Sequence, residues 1–154
     1  MEVIRSQQEM HEDAERLADI LTTLQRKFLA NLSKELSRGN VSFPQYFLLG
    51  YLCQSKFLTM SQIAQKMGHT TAAATGLVDR LENLALVERS HAVEDRRKIM
   101  VKITRNGSAL VSRIRQDMVD NLLKIMTCLE PDEQKNWLKI YTKIANHCSC
   151  QNKQ

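Results

Sequence analysis

Residues 70–83 combine small, hydroxyl-bearing and charged side chains at helical spacing, in the run TTAAATGLVDRLEN. One face of the predicted helix is apolar and should be buried, with Ala74, Leu77, Val78 and Leu81. The other face is small or polar, with Ala72, Thr75, Gly76, Asp79 and Asn83. A helix that only needs solubility usually exposes Lys, Glu and Gln. Small exposed residues therefore indicate that a large partner approaches the backbone closely, as DNA approaches the second helix of a helix-turn-helix.

A shorter helix is predicted immediately before this one. Thr59 and Gln62 have the spacing of a capping box, and Gly68 suits a left-handed helix stop. Either Thr70 or Thr71 can then cap the next helix. Thr75 is consequently the better candidate for a contact to a base or phosphate. Arg80 lies beyond the first two turns, where a salt bridge within the chain or a phosphate contact is expected before base recognition.

A hairpin with a charged turn is predicted to follow. Residues 98–103 alternate polar and apolar side chains, as a half-buried strand does, and residues 87–91 supply the partner strand. The connecting loop contains Asp95, Arg96 and Arg97. Surface arginines are commonly solvated, but the D-x-R spacing on a hairpin favours a wing that enters the minor groove. Asp95 would then fix an arginine by an ion pair without touching DNA itself.

Long amphipathic helices are predicted on both sides of this core. Apolar residues recur every three or four positions from about Glu9 to Ser37, and Gly39 suits the left-handed turn that ends the helix. Ser42 and Pro44 open a nearly all-apolar segment, which is predicted to be the buried middle of the fold. Further long helices are predicted after Thr104 and from Pro131. The fold class is thus mainly α with a small β-wing: a winged helix-turn-helix core flanked by long N- and C-terminal helices.

The run GLVDRLENLALVERS, followed by EDRRKIMVKIT and TRNG, resembles the MarR family (multiple antibiotic resistance regulators) of bacterial and archaeal transcription factors. The resemblance implies a single domain over residues 1–154, with the DNA-binding core at 42–107 and dimerisation helices at 1–40 and 108–150. Two positions depart from the common pattern: Ala92-Val93 stand near the wing turn where a Pro is frequent, and Gly76 stands where an Arg is frequent. The candidate DNA-binding residues are Thr70, Thr71, Ala72, Ala73, Thr75, Gly76, Arg80, Arg96, Arg97 and Lys98, with Asp95 in support.

The resemblance also implies intertwined homodimers and a small, often aromatic or anionic effector. Family members bind such molecules in a cleft between the dimer helices and the winged core. Phe47 and Tyr51, one helical turn apart, are the candidate lining residues, with core packing the favoured role for Phe47.

The charge of the chain is compatible with a nucleic-acid partner. The chain has a net charge of +5 and a pI of about 9.1, which suits an anionic partner. Six of the eight Lys and Arg residues in 60–105 lie between Arg89 and Arg105. No signal segment, membrane-spanning run, enzyme motif, metal-ligand set or cofactor motif is recognisable, so a cytoplasmic non-enzyme without cofactors is expected. Cys53 and Cys128 lie on apolar helix patterns and are predicted to be small core residues.

These observations predict a dimeric winged-helix transcriptional regulator, a repressor that binds a pseudo-palindromic operator and is released by a small molecule. Two alternatives remain. One is a winged-helix protein-interaction module that has lost its DNA surface, although the cluster of Arg96, Arg97, Lys98 and Lys102 argues against it. The other is a thiol-based redox regulator that uses Cys148 and Cys150.

Overall fold

The computed structural model describes residues 6–91 and 98–151, without the side chains of Cys150 and Gln151. The chain divides into two compact units, one ending at Ile114 and the other beginning at Arg115. The winged core lies entirely within the first unit. The single-domain organisation over residues 1–154 therefore stays a prediction.

Helix α1 (Gln7–Arg38) confirms the predicted long helix at the start of the first unit. Ser6 caps it, since the N–H of Glu9 donates to Ser6 Oγ and the Glu9 carboxylate accepts from the Ser6 N–H. The prediction of a left-handed Gly39 is wrong, because Gly39 has φ −84° and Asn40 takes the left-handed conformation at φ 53°. Gly39 instead permits a close approach, since a Cβ there would lie 2.8 Å from Cδ1 of Leu110.

Helices α2 (Phe43–Cys53) and α3 (Met60–Met67) follow, and both confirm the predicted starts. Ser42 N–H donates to Oε1 of Gln45 at 2.7 Å, which places this glutamine at the start of α2. Thr59 and Gln62 form the predicted capping box. Gly68 ends α3 with φ 63°, as the sequence predicts.

Helix α4 (Thr71–Asn83) leads into an antiparallel sheet of three strands. The predicted hairpin is confirmed as β2 (Val87–His91) and β3 (Ile99–Ile103), with Val87 opposite Ile103 and His91 opposite Ile99. Strand β1 (Leu58–Thr59) was not predicted, because two residues are too short to show an alternating pattern. It pairs with β3 and thereby joins the hairpin to the start of α3.

The core of the first unit is built around α2. The most deeply buried large side chains are Leu48, Leu49, Leu52, Ile63, Val78, Leu81, Val101 and Ile114. The predicted buried middle is therefore confirmed for Leu48, Leu49 and Leu52 of α2 but wrong for Phe47, which is 55% exposed. In a helix the positions of Gln45, Leu48 and Leu52 share one face, and Phe47 lies on the other.

Helix α5 (Arg105–Met126) begins at the predicted cap, where the Gly107 N–H donates to Thr104 Oγ1 at 3.1 Å. Its N-terminal half belongs to the first unit and contributes Leu110 and Ile114 to the core.

The second unit contains the rest of α5 and helix α6 (Pro131–Gln151), which starts at the predicted proline. The amide of Gln134 donates to the carbonyls of Met126 and Leu129 and so fixes the turn between the helices. The Trp137 and Tyr141 rings pack edge to face, 5.8 Å apart. Cys128 is exposed, as is Cys53 in the first unit, so the prediction that both are core residues is wrong.

Over residues 6–91 and 98–151, none of the helices is long and apolar enough to cross a membrane.

Candidate nucleic-acid interface

The first two turns of α4 form an exposed surface of small residues. Thr70 is the cap, because its Oγ1 accepts from the Ala73 N–H at 3.3 Å. Buried Ala74, Val78 and Leu81 hold the opposite face of the helix against the core. The structure thus brings one subset of the predicted DNA-binding residues together on a single exposed surface: Thr71, Ala72, Ala73, Thr75 and Gly76.

The Thr75 hydroxyl has a defined polarity within this surface. Its proton is donated to the carbonyl of Thr71, at 2.9 Å. The oxygen lone pairs remain available, so Thr75 can accept a hydrogen bond from a partner while its own donor is occupied. In the major groove, the amino groups of adenine and cytosine are the donors that such an acceptor can recognise.

Gly76 leaves the middle of the surface open. A Cβ built at this position meets no atom within 4 Å. Packing inside the described chain therefore does not require a glycine here, although glycine destabilises a helix interior relative to alanine. The missing side chain leaves the helix backbone open to close approach from outside the described chain.

Arg80 lies one turn further along α4 and is exposed. The sequence predicts that Arg80 forms a salt bridge within the chain or contacts a phosphate. No carboxylate in the described ranges forms an ion pair with it. Its guanidinium therefore remains a candidate for contact with a phosphate.

Arg89, which was not selected as a site residue from the sequence, forms ion pairs with two carboxylates of α4. Arg89 lies on β2, and its Nη2 and Nη1 contact Asp79 Oδ1 and Glu82 Oε2, each at 2.5 Å. The Arg89 side chain is 23% exposed. Burial by itself lowers the pKa of Arg89, but the two carboxylates outweigh it and the pKa lies above its ordinary value.

The alternation of side chains along β2 predicts which face of the strand Arg89 occupies. Val87 and Arg89 share one face of β2, and Val87 is buried, so the arginine also points inward. A cation on an inward face requires a partner. The preceding helix carries two carboxylates three positions apart, Asp79 and Glu82, which can supply such a partner.

The wing, meaning β2, β3 and the connecting residues 92–97, is described only in its strands. Lys98 is exposed just before β3. Lys102 pairs across the hairpin with Glu88 at 2.7 Å, so its charge is partly used inside the wing. The predicted contacts Arg96 and Arg97 and the supporting Asp95 lie outside the described residues, as do Ala92 and Val93.

Phe47 and Tyr51, the predicted effector-binding pair, lie in different surroundings. The exposed Phe47 ring tilts against Tyr46, with the ring centroids 6.0 Å apart. Tyr51 is half-buried, and Nζ of Lys66 lies 5.4 Å above its ring, a cation–π arrangement. Phe47 is therefore accessible to a partner or ligand, whereas Tyr51 already has a packing role between α2 and α3.

The thiols do not form a site in the described structure. Cys53 is exposed as a residue, although local packing raises the pKa of its thiol against a weaker lowering by a hydrogen bond from Ser108. Cys148 is exposed on α6. The side chain of Cys150, its predicted redox partner, lies outside the described residues.

Helix α3, a tight turn, the exposed helix α4 and an antiparallel hairpin define a winged helix-turn-helix protein. Residues 40–98 match the sequence model of the MarR family. This match covers most of the winged core, which therefore resembles the MarR family in sequence as well as in fold.

Two relatives and one solved structure illustrate the similarity. The chain is 35% identical over 101 residues to the uncharacterised HTH-type transcriptional regulator YfiV of Bacillus subtilis, covering 66% of this chain and 63% of YfiV. It is 26% identical to the B. subtilis HTH-type transcriptional repressor MdtR, over 90% of this chain and 91% of MdtR. The crystal structure of B. subtilis YusO superposes with a TM-score of 0.78 at 25% identity, covering 92% of this chain and 99% of YusO. The match to YfiV thus spans less than two thirds of that relative.

Proposed function

We propose that this protein is a sequence-specific DNA-binding transcriptional regulator. Helix α4 would lie in the major groove and the wing in an adjacent minor groove. The observation that carries the proposal is the exposed surface of small residues on α4, with open space at Gly76. This surface fits close approach by a duplex, because its residues are exposed in the described chain.

Phosphate contacts would supply much of the affinity. Arg80 on α4 and Lys98 just before β3 are exposed cations. Arg96 and Arg97 add positive charge in the loop sequence. The α4 surface offers methyl groups, the hydroxyls of Thr71 and Thr75 and bare backbone, without a forked donor that could read guanine. Direct readout should therefore favour thymine methyl groups and A·T-containing steps, with a wing arginine in a narrow minor groove.

Selection of fragmented genomic DNA by the purified protein tests the proposal. We expect a small set of enriched fragments that share a pseudo-palindromic sequence. Arg97→Ala should weaken binding to every duplex and reduce the salt slope by about 1. No enrichment over bulk DNA, with equal retention of random duplexes, would overturn the proposal and favour a protein-interaction module.

We further propose a homodimer. Large apolar side chains remain exposed on α1, at Met10, Leu17, Ile20, Leu21 and Leu29, and separately on α6, at Leu138, Ile140, Tyr141 and Ile144. Exposed apolar faces of this extent are typical of interaction surfaces. A two-fold dimer would present two α4 helices about 34–36 Å apart, one turn of DNA, to a palindromic site.

Removing the residues from Pro131 onward tests the dimer. The truncated chain should sediment as a monomer or aggregate, while the full chain sediments as a dimer. A soluble dimer after truncation would contradict a role for α6 in assembly. Substituting Leu138 and Tyr141 with Ser in the full chain supplies a milder version of the same experiment.

Repression and release by a small molecule complete the proposal. MdtR is named a repressor, which supports the first part by relationship alone. Exposed Phe47 supports an aromatic effector at α2. A panel of phenols and carboxylates should include compounds that raise the melting temperature and weaken operator binding, with Phe47→Ala reducing both effects.

If oxidants release DNA instead, and replacing Cys148 and Cys150 abolishes that release, the redox alternative is correct.

A further inference from the structure

Arg89 connects two elements that the proposed function requires to act on one duplex. Its guanidinium spans Asp79 and Glu82, one helical turn apart on α4. The backbone N–H of Arg89 also donates to Oε1 of Glu82 at 3.3 Å. Since β2 is an edge strand in the described sheet, this carboxylate satisfies part of the open edge as well.

We propose that Arg89 is a positioning residue for DNA binding, which fixes the wing relative to α4 by bridging Asp79 and Glu82. This inference rests on the proposed DNA-binding function. The bridge lies on the same exposed side of α4 as Gly76, because Asp79 is about one turn from it and its side chain is 52% exposed. A change at the bridge therefore alters the angle at which the wing leaves the DNA-facing helix.

The chemistry of the bridge requires an arginine. A guanidinium presents several N–H donors in a fixed plane, so it can contact two carboxylates in defined directions. A lysine keeps the charge but is a point donor on a flexible stem. Arg89→Lys consequently preserves net charge near the duplex while it removes the planar, two-ended contact.

The wing offers a matched control. Lys102 and Glu88 form an ion pair within the hairpin, without any residue of α4. Lys102→Met removes that ion pair and leaves the bridge from Arg89 intact. It changes wing charge and local stability but not the connection between wing and helix.

The experiment measures how much Arg97 contributes to binding in three backgrounds. Titrations of the enriched operator duplex are made with the natural chain, Arg89→Lys and Lys102→Met, each with and without Arg97→Ala. In the natural background, Arg97→Ala should weaken binding about tenfold or more, an effect expected of one lost charge contact. In Arg89→Lys the same substitution should weaken binding less than twofold, because the wing is no longer held at the groove. In Lys102→Met the full effect should persist.

The outcomes separate this inference from the proposed function. A natural chain that binds no duplex overturns both. If the natural chain binds and Arg97→Ala has the same effect in all three backgrounds, only the positioning role is overturned. If Arg97→Ala does not change the affinity of the natural chain for the duplex, the positioning role is also contradicted, because a fixed wing that contacts nothing has no part in binding. If Arg89→Lys only reduced stability, the affinities of Arg89→Lys and of the double variant with Arg97→Ala would fall by the same factor. The effect of Arg97→Ala would then equal its effect in the natural chain.

Discussion

The backbone of Gly107 packs directly against the carbonyl of Leu86, so closely that a Cβ at position 107 would overlap that oxygen and lie 2.7 Å from Cγ1 of Ile103. This contact joins the first turn of α5 to the chain between α4 and β2. It is reinforced by Thr104, whose hydroxyl donates to the Ala85 carbonyl at 2.7 Å and whose N–H donates to Leu86. The wing is thus fixed at its base by backbone contacts that leave no space for a side chain.

Gly107→Ala should lower the free energy of unfolding by about 1–3 kcal/mol, the usual cost of forcing an extra methyl into a packed site. Gly50→Ala is the control, because Gly50 is also inside a helix but a Cβ there meets nothing within 4 Å. The control should be neutral or stabilising by up to about 1 kcal/mol. Urea denaturation of both variants measures the difference, and equal stabilities would contradict the tight contact.

Ala85→Gly should stabilise the protein. Ala85 is exposed and has φ 55°, a conformation that costs an alanine about 1–2 kcal/mol. Part of the gain is offset by the greater freedom of glycine in the unfolded chain, so the net effect should be about 1 kcal/mol or less. Ala109→Gly, on the exposed surface of α5, should instead destabilise by about 0.5–1 kcal/mol. Thermal unfolding should show opposite shifts for the two variants; shifts of the same sign would be incompatible with strain at Ala85.

Gly76→Ala should change stability and DNA affinity in opposite directions. A methyl group in open space raises helix propensity and should stabilise the fold by about 0.5–1 kcal/mol. The same methyl lies on the exposed surface of α4 and should reduce affinity for the operator if DNA approaches the backbone there. Gly50→Ala, which has a similar stabilising effect away from this surface, controls for stability. Unreduced affinity in Gly76→Ala would mean that the duplex does not come close to position 76.

Thr75→Val should weaken binding to the preferred duplex by about 1–3 kcal/mol while it leaves binding to random duplexes nearly unchanged, as expected when one base contact is lost. The substitution keeps the shape and the methyl group but removes the oxygen that can accept from a base. Thr22→Val on α1 is the matched control, since Thr22 also donates to the carbonyl four residues earlier, at 2.8 Å. A comparable loss on both duplex types would identify Thr75 as a phosphate contact instead.

The sequence by itself determined the local elements of the winged core. Capping at Thr59, the left-handed Gly68 and the alternation along β2 and β3 depend on residues within a few positions of each other, and all are confirmed. The small exposed face of α4 could be predicted for the same reason, because helical spacing alone separates Ala72 and Thr75 from Val78. The residues that define the candidate DNA surface were therefore selected correctly as a surface, while their contacts with DNA stay predictions.

The tertiary structure decided which face of a uniformly apolar segment is buried and which charges meet. Periodicity cannot assign a buried side to α2, so Phe47 was expected inside and is found exposed. The pairing of Arg89 with Asp79 and Glu82 depends on how the hairpin folds back against α4, and propensities carry no information about that angle. Gly39 and Gly107 likewise have their reason in neighbours remote in sequence, Leu110 and Leu86. Close packing brings such residues together, and a local pattern records only that a small residue is present.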